Sequence, residues 1–366
     1  MTEKNHKAND KSQVQGEQYE KQIAIIGVGL RFPKADTLEQ LWEHLLAERS
    51  LITEIPPDRW DKNLYWGQPG PGANKTSSIW GGFIDYADCF DASFFNVSPR
   101  EASFMDPQQR IALELAWKAV EDAGYRAAAL KNYKTGVFMG VCNSDYTEMI
   151  EKYSLKVDPY MATGTANAIL SNRISHWFDF KGPSLTIDTA CASSLVALHQ
   201  AVRAIKNKEC EYALAGGVNF CWSPRRFVAL SQSGMLAGDG KCKTFDEKAD
   251  GYVRGEGGAI LVLKSLDRAV ADNDHIYAVI KGTGTNHGGR TSSLTVTNPG
   301  AQADLIVEVY EKAGISPDTV GYIEVHGVGS PLGDSMEVYG LKTAFNKLYK
   351  KWNKEIKIAT CGIGSV

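Results

Sequence analysis

Apolar and polar positions alternate between two periods along this chain, and the alternation predicts a series of strands and helices. Ile23-Ala24-Ile25-Ile26-Gly27-Val28-Gly29 is an apolar run that ends on glycines and predicts a first strand with a tight exit. Leu38, Leu41, Trp42, Leu45 and Leu46 then fall at helical spacing, an amphipathic helix ended by Pro56-Pro57, and residues 67–74 form a Gly/Pro-rich loop. Met105-Asp106-Pro107-Gln108-Gln109-Arg110 opens the next helix. Asp106 is its expected N-cap, Pro107 suits the first turn, and Ile111, Leu113, Leu115, Ala116 and Val120 supply apolar residues. Thr135 to Val141 predicts a buried strand and Asn167 to Phe178 a helix. Gly182-Pro183 breaks the chain before a short β-leaning run, Ser184 to Ile187. Leu195-Val196-Ala197-Leu198, Ala201-Val202 and Ile205 predict a buried helix, followed by strands at Tyr212–Asn219 and Gly258–Leu263.

From Ile276 the order resembles the beginning. A strand (Ile276–Ile280) runs into Gly282-x-Gly284. A helix follows with Ala301, Leu305, Ile306, Val309 and Tyr310 on one face, then strands at Val320–Val325 and Ile356–Cys361. Strands alternating with helices give an α/β class. Residues 1–20 are polar, with almost nothing to bury, and read as a disordered leader or linker. The folded part divides into residues 21–265 and 266–366.

Composition narrows the function. Of 366 residues, 43% are hydrophobic and 23% charged, enough to bury a sizeable core. The net charge is −3 and no basic stripe stands out, which argues against nucleic acid as a partner. No apolar run reaches the roughly 18 residues of a membrane span, and the polar N-terminus carries no secretory signal. The seven cysteines are scattered without C-x-x-C spacing. That fits a reducing cytoplasm and speaks against a zinc site or a disulfide framework, so no metal is expected. Gly27-x-Gly29 invites a dinucleotide reading, but Phe32 stands where the third glycine belongs and Pro33 follows, so that fingerprint fails.

Two stretches carry chemistry. In Asp188-Thr189-Ala190-Cys191-Ala192-Ser193-Ser194-Leu195 a strand ends and a helix begins, which puts Cys191 at a helix N-terminus. Unpaired N–H groups and the helix dipole favour an anion there, and the thiolate is the nucleophilic form of cysteine. From the residues alone, a small buried cysteine fits equally. In Glu324-Val325-His326-Gly327-Val328-Gly329-Ser330-Pro331-Leu332-Gly333-Asp334, His326 lies at a strand end in a glycine-rich turn. A lone histidine is more often structural than catalytic, but the loop position and the following glycine favour a cleft.

The Cys191 octapeptide resembles the active-site motif of the β-ketoacyl synthases, and more closely that of ketosynthase domains of modular polyketide synthases. The strings MDPQQR (Met105–Arg110), CKTFD (Cys242–Asp246) and ADGYVRGEG (Ala249–Gly257) are similar to family strings, in the same order, so the resemblance runs from about Gln22 to Val366. Asn286-His287-Gly288-Gly289-Arg290 resembles the variant common where the acyltransferase acts in trans. The resemblance implies a thiolase-like fold of two similar halves in α-β-α-β-α layers, with the C-terminal half incomplete. It implies Cys191 and His326 as catalytic residues, Phe245 as a gate at the acyl entrance, and Asn286 and His287 beside the acyl pocket. MDPQQR reads as structural.

Where the family has H-G-T-G-T-P-L-G-D, Val328 and Ser330 replace two threonines, which bears on positioning more than on chemistry. The resemblance also expects a second histidine and a lysine in a K-S-N-I-G-H-like stretch, about where this sequence reaches Val366. The implied reaction loads an acyl group on Cys191 and then condenses it with a malonyl-type thioester that loses carbon dioxide. The implied partners are an acyl carrier protein, whose phosphopantetheine arm delivers the acyl groups so that no cofactor is bound, other polyketide synthase domains, and a second copy in a homodimer. The alternatives are a related domain that only transfers or holds the acyl chain, a scaffold without chemistry, and an enzyme of the thiolase or chalcone synthase kind that uses free coenzyme A.

Overall fold

A computed structural model of the chain describes residues 22–142, 144–153, 156–355 and 361–366. The leader expected at 1–20, and all but the last residue of the strand expected at 356–361, lie outside the described residues. The chain forms two compact units, each built from separate stretches of sequence. Of the described residues, the first comprises those in 22–51, 82–223 and 255–281, and the second those in 52–81, 224–254 and 282–366.

The principal elements of the first unit are, in chain order, β1 (Ile23–Arg31), α1 (Leu38–Leu46), α2 (Pro107–Asp122), β2 (Thr135–Gly140), α3 (Ala168–Phe178), β3 (Ser184–Ile187), α4 (Ser193–Lys206), β4 (Tyr212–Asn219), β5 (Gly257–Ser265), α5 (Leu266–Ala271) and β6 (Ala278–Ile280). The six strands form one sheet in the order β3-β2-β4-β5-β1-β6. β2 runs parallel to both β3 and β4, whereas β5 is antiparallel to β4 and β1, and β6 is antiparallel to β1. Side chains alternate across the sheet. Ala24, Ile26, Val137, Met139, Leu214, Ile260 and Val262 pack in one core with residues of α2 and α3. Ile23, Phe138, Ala213, Ala215 and Leu263 pack in a second core with Ala197, Ala201, Val202 and Ile205 of α4. The unit is therefore a helix–sheet–helix sandwich.

The structure corrects the reading of Gly27-x-Gly29. These glycines are not a strand exit, because β1 continues through them to Arg31. A Cβ on Gly27 would lie 2.4 Å from the Ala119 carbonyl oxygen, and one on Gly29 would lie 2.3 Å from that of Leu115. The glycines let the backbone of α2 approach the strand. The pairing register with β5 slips between Ile25 and Gly27, and at this irregularity the Val28 N–H donates to Asp122 Oδ2 at 2.8 Å.

The MDPQQR string is the anchor of α2. Asp106 caps the helix by accepting from Gln108 N at 2.9 Å, and Pro107 occupies the first turn, as its spacing predicts. Gln109 Nε2 donates to the carbonyls of Thr163 and Gly164, and its Oε1 accepts from Arg173 Nε at 2.9 Å. Arg110 donates to Met105 O at 2.9 Å and to the Tyr146 hydroxyl at 2.9 Å. Burial pushes Asp106 up to about 6.

A second buried polar cluster closes the sheet near β5. Lys264 has no exposed side-chain surface. Its Nζ pairs with Asp272, with Asp274 at 2.6 Å and with the Tyr125 hydroxyl at 2.9 Å, and it lies over the ring of Tyr212. Burial alone would lower its pKa, but the two carboxylates overcome that and raise it.

The second unit contains α6 (Pro299–Ala313), β7 (Tyr322–Glu324), α7 (Pro331–Lys351) and β8 (Gly362–Gly364). β7 and β8 pair in parallel, Tyr322 opposite Gly362. α6 packs along α7, with Tyr310 and Phe345 edge to face at 5.8 Å and an ion pair of 2.7 Å between Asp304 and Lys347.

Two outcomes test the buried polar groups. Replacing Lys264 with Met leaves Asp274 buried without its cation, and the variant is expected to lose about 3–5 kcal/mol of stability in denaturant titrations. Asp106 binds its proton more tightly when folded than when unfolded. Its contribution to stability is therefore largest below about pH 4 and is lost as pH rises through about 6. Asn caps a helix as well as Asp does. Between pH 4 and pH 7 the stability of D106N relative to wild type should rise by on the order of 2–3 kcal/mol. A pH-independent difference would contradict the protonation of Asp106.

Candidate active site

Cys191 stands where β3 hands over to α4. The link contains a single 3₁₀ turn, Ala190–Ala192, before the helix proper begins at Ser193. Ala190 occupies the left-handed region at φ +53°. A residue with a Cβ adopts that conformation at a cost on the order of 1–2 kcal/mol, so the turn must be held by other contacts. The buried Ser193 supplies two of them: its hydroxyl accepts from Thr189 N at 2.9 Å and donates to Ala190 O at 2.7 Å. Asp188 Oδ1 accepts from Ala190 N at 3.0 Å.

The head of α4 rests on the ends of two parallel strands. A Cβ on Gly140, the last residue of β2, would lie 2.5 Å from Ser194 N. One on Gly217 of β4 would lie 2.9 Å from Ser194 Cβ. Only glycine at both positions lets the helix start this close to the sheet.

The helix differs from the expectation of full burial. One face packs in the core, but Leu195 is 69% exposed, and Cys191 itself is exposed. The choice left open by the sequence, a buried structural cysteine or an accessible one, is thus decided for accessibility. Among the other cysteines, burial pushes Cys210 up to about 12 and raises Cys361. Cys89 is raised by burial and then by the neighbouring Asp88 carboxylate. Those three are poor sources of thiolate at neutral pH.

The remaining four residues singled out in the sequence belong to the second unit. His326 is exposed just past the end of β7, in a turn in which Gly327 (φ +48°) and Gly329 (φ +67°) take left-handed conformations. Gly327 is also sterically required, since a Cβ there would meet Thr244 Cγ2 at 2.6 Å. Glu337 of α7 accepts from both His326 N (2.7 Å) and Gly327 N (2.9 Å). Thr244 Oγ1 donates to Gly327 O at 2.6 Å.

Phe245 follows Thr244 and is 40% exposed. It too is left-handed, at φ +63°, and its N–H donates to Asp334 Oδ2 at 2.9 Å. Asp334 Oδ1 accepts from Ser330 N at 3.3 Å. Ser330 caps α7 by accepting from Gly333 N at 3.1 Å, so the hydroxyl at this position serves the helix. The structure therefore brings the Phe245 and His326 turns together on the first turns of α7.

Asn286 and His287 are exposed and lie in the loop that leads into α6. Asn286 Nδ2 donates to Ala301 O at 2.8 Å, and Asn298, the N-cap of α6, donates to Gly288 O at 2.8 Å. His287 Nδ1 accepts from Gly289 N at 2.9 Å, which leaves the proton of a neutral ring on Nε2.

Sequence reasoning missed Ser193, Thr244, Asp334 and Glu337. The last two are acids three residues apart, a spacing that puts both on one face of a helix, but α7 itself is a helix that the sequence reading did not predict.

Comparison with known proteins identifies the family. The model of the beta-ketoacyl synthase N-terminal domain matches residues 20–269, and that of the C-terminal domain matches residues 277–366. The chain is 47% identical over 344 residues to the polyketide synthase ThaG of Burkholderia thailandensis, and 49% identical over 344 residues to the polyketide synthase PksN of Bacillus subtilis. Each alignment covers 94% of this chain and 6% of the relative, so the chain spans a small part of those proteins. Among solved structures it superposes with a TM-score of 0.86 and 41% identity on the oxazolomycin ketosynthase domain OzmH KS7 of Streptomyces albus, covering 94% of this chain and 59% of that one. The ketosynthase from module 6 of the bacillaene synthase of Bacillus subtilis gives a TM-score of 0.85 at 40% identity, over 94% of this chain and 57% of that one. The α/β fold is that of the thiolase-like ketosynthases, and the chain belongs to the beta-ketoacyl synthase family.

Proposed function

We propose that this chain is a ketosynthase domain of a modular polyketide synthase of the trans-acyltransferase kind, an acyltransferase that forms carbon–carbon bonds. The observation that carries the reading is Cys191, exposed on a strained, hydrogen-bonded turn at the head of α4. In the first stage the Cys191 thiolate attacks the carbonyl of an acyl thioester on a carrier protein. The carbon–sulfur bond to the carrier breaks, the phosphopantetheine thiol leaves with a proton, and the acyl group remains on Cys191. In the second stage a malonyl-type thioester loses carbon dioxide, and the electron pair of the broken bond becomes an enolate. The His326 N–H stabilises the enolate oxygen. The enolate carbon then attacks the acyl-Cys191 carbonyl, the Cys191–acyl bond breaks, and a β-ketoacyl carrier thioester departs.

In this reading Phe245 gates the acyl entrance, and Asn286 and His287 flank the acyl pocket. The two halves are residues 21–265 and 266–366. The partners are an acyl carrier protein, which brings its own phosphopantetheine, and neighbouring polyketide synthase domains. A homodimer is supported by β3, an edge strand whose Leu185 is 47% exposed. No helix among the described residues is long and apolar enough to cross a membrane.

The test is brief exposure of the full natural polypeptide to an acyl carrier thioester, followed by peptide mapping. Cys191 is expected to be acylated first, and C191A to block it. Preferential acylation of Cys142 or Cys242 would overturn the assignment. H326A is expected to retain acylation and to lose about 10²–10³-fold in malonyl decarboxylation, the usual cost of one enolate-stabilising donor.

A further inference from the structure

The first turns of α7 carry two carboxylates on one face, and each accepts hydrogen bonds from two backbone N–H groups of the turns beside it. Asp334 takes Ser330 and Phe245; Glu337 takes His326 and Gly327. The peptide that follows His326 is thus gripped at its N–H by Glu337. The next carbonyl, that of Gly327, is gripped by the hydroxyls of Thr244 and Ser365. We infer that Glu337 is a positioning residue that aims His326, an inference that rests on the proposed role of His326 in stabilising the enolate.

The chemistry of the grip favours a carboxylate. Two N–H donors converge on one side chain, at 2.7 and 2.9 Å, and an ionised Glu offers an acceptor oxygen to each. Gln offers one acceptor and one NH₂ group, which would face an N–H donor. The backbone at 326 and 327 has little room to compensate. Gly327 is already left-handed, and its Cα is packed so closely that a Cβ would fall 2.6 Å from Thr244 and 2.7 Å from Ser365. A lost bond at Glu337 therefore shifts the base of the His326 side chain. Enolate stabilisation depends on that placement, and an error near 1 Å can cost on the order of 10²-fold in rate. Loading of Cys191 in the proposed first stage does not use His326 and should be spared.

The experiment measures two rates in the full natural polypeptide carrying E337Q, E337D, H326A or H326A/E337Q. The first is decarboxylation of a malonyl thioester of N-acetylcysteamine; the second is Cys191 acylation by the acetyl thioester of the same thiol, read by mass spectrometry. E337Q is expected to slow decarboxylation about 10²-fold and to leave acylation within about twofold. E337Q should add nothing in the H326A background, because a residue that acts through His326 has nothing left to aim. E337D keeps both acceptor oxygens at a shorter reach, so it should lose less and in decarboxylation only. If E337Q fails to fold, as judged by thermal unfolding, E337D reads out the same split. Equal loss of both rates, or a full additional loss in the H326A background, overturns the inference. Full decarboxylation by E337Q beside an inactive H326A overturns the role of Glu337 alone. Full decarboxylation by H326A overturns the reading of His326 itself.

Discussion

Backbone meeting backbone, with no side chain between, is the constraint on which the first unit depends. Two such contacts seat a helix on the sheet, one on each face. Gly27 and Gly29 admit α2 against β1, and Gly140 and Gly217 admit the start of α4 against the ends of β2 and β4. Both contacts are intolerant of any Cβ, since interiors are close-packed and the atoms met are largely backbone atoms that cannot swing aside. The second contact fixes where α4 begins, and hence where the turn that carries Cys191 must lie. The strain at Ala190 is then a consequence. With the strand end at Ile187 and the helix head at Ser193 both fixed, the five residues between them have few conformations left. Ser193 and Asp188 hold the one adopted.

The second unit solves a similar problem by a different means. Its candidate residues lie in turns, and turns are placed by hydrogen bonds rather than by packing. Asp334 and Glu337 collect four backbone N–H groups between them, and Thr244 adds a carbonyl. Left-handed backbone at Phe245, Gly327 and Gly329 sets the N–H groups in directions that a helix face can meet. Phe245 is the exception that calls for explanation, since a bulky side chain disfavours that region. Its N–H bond to the buried Asp334 holds the conformation against its intrinsic preference.

Much of this was legible in the sequence. Periodicity gave the α/β class and most of the strands and helices. The Asp106–Pro107 pair marked the start of α2 because capping and proline chemistry are local. What failed was non-local. Gly27-x-Gly29 suggested an exit because the sequence shows glycine but not what crosses it, and α2 lies some ninety residues further on. The Cys191 helix looked wholly buried because it carries little charge, whereas only one of its faces packs and Leu195 on another is exposed. The Val328 and Ser330 substitutions suggested changes in positioning. The structure assigns Ser330 to the cap of α7, a task that serine performs as well as threonine does. Asp334 and Glu337 escaped because no helix was expected between Val325 and Ile356, so their spacing on one face of α7 carried no weight, and their partners lie in other turns.

The two ways of placing a reactive group differ in how they respond to change. A steric placement such as that of Cys191 has nearly no slack: a single added methyl on Gly140 must move α4 or β2, and either displaces the turn. A hydrogen-bonded placement such as that of His326 can lose one bond and keep the chain trace, since Thr244 and Ser365 still hold the next carbonyl. Its geometry then degrades by degrees. In the proposed reaction of two stages, with loading at Cys191 and charge stabilisation at His326, the first stage would be switched off by packing defects and the second tuned by polar ones. Evolution of such a domain toward acyl transfer without condensation would then need only changes around the His326 turn, with the sheet and its glycines untouched.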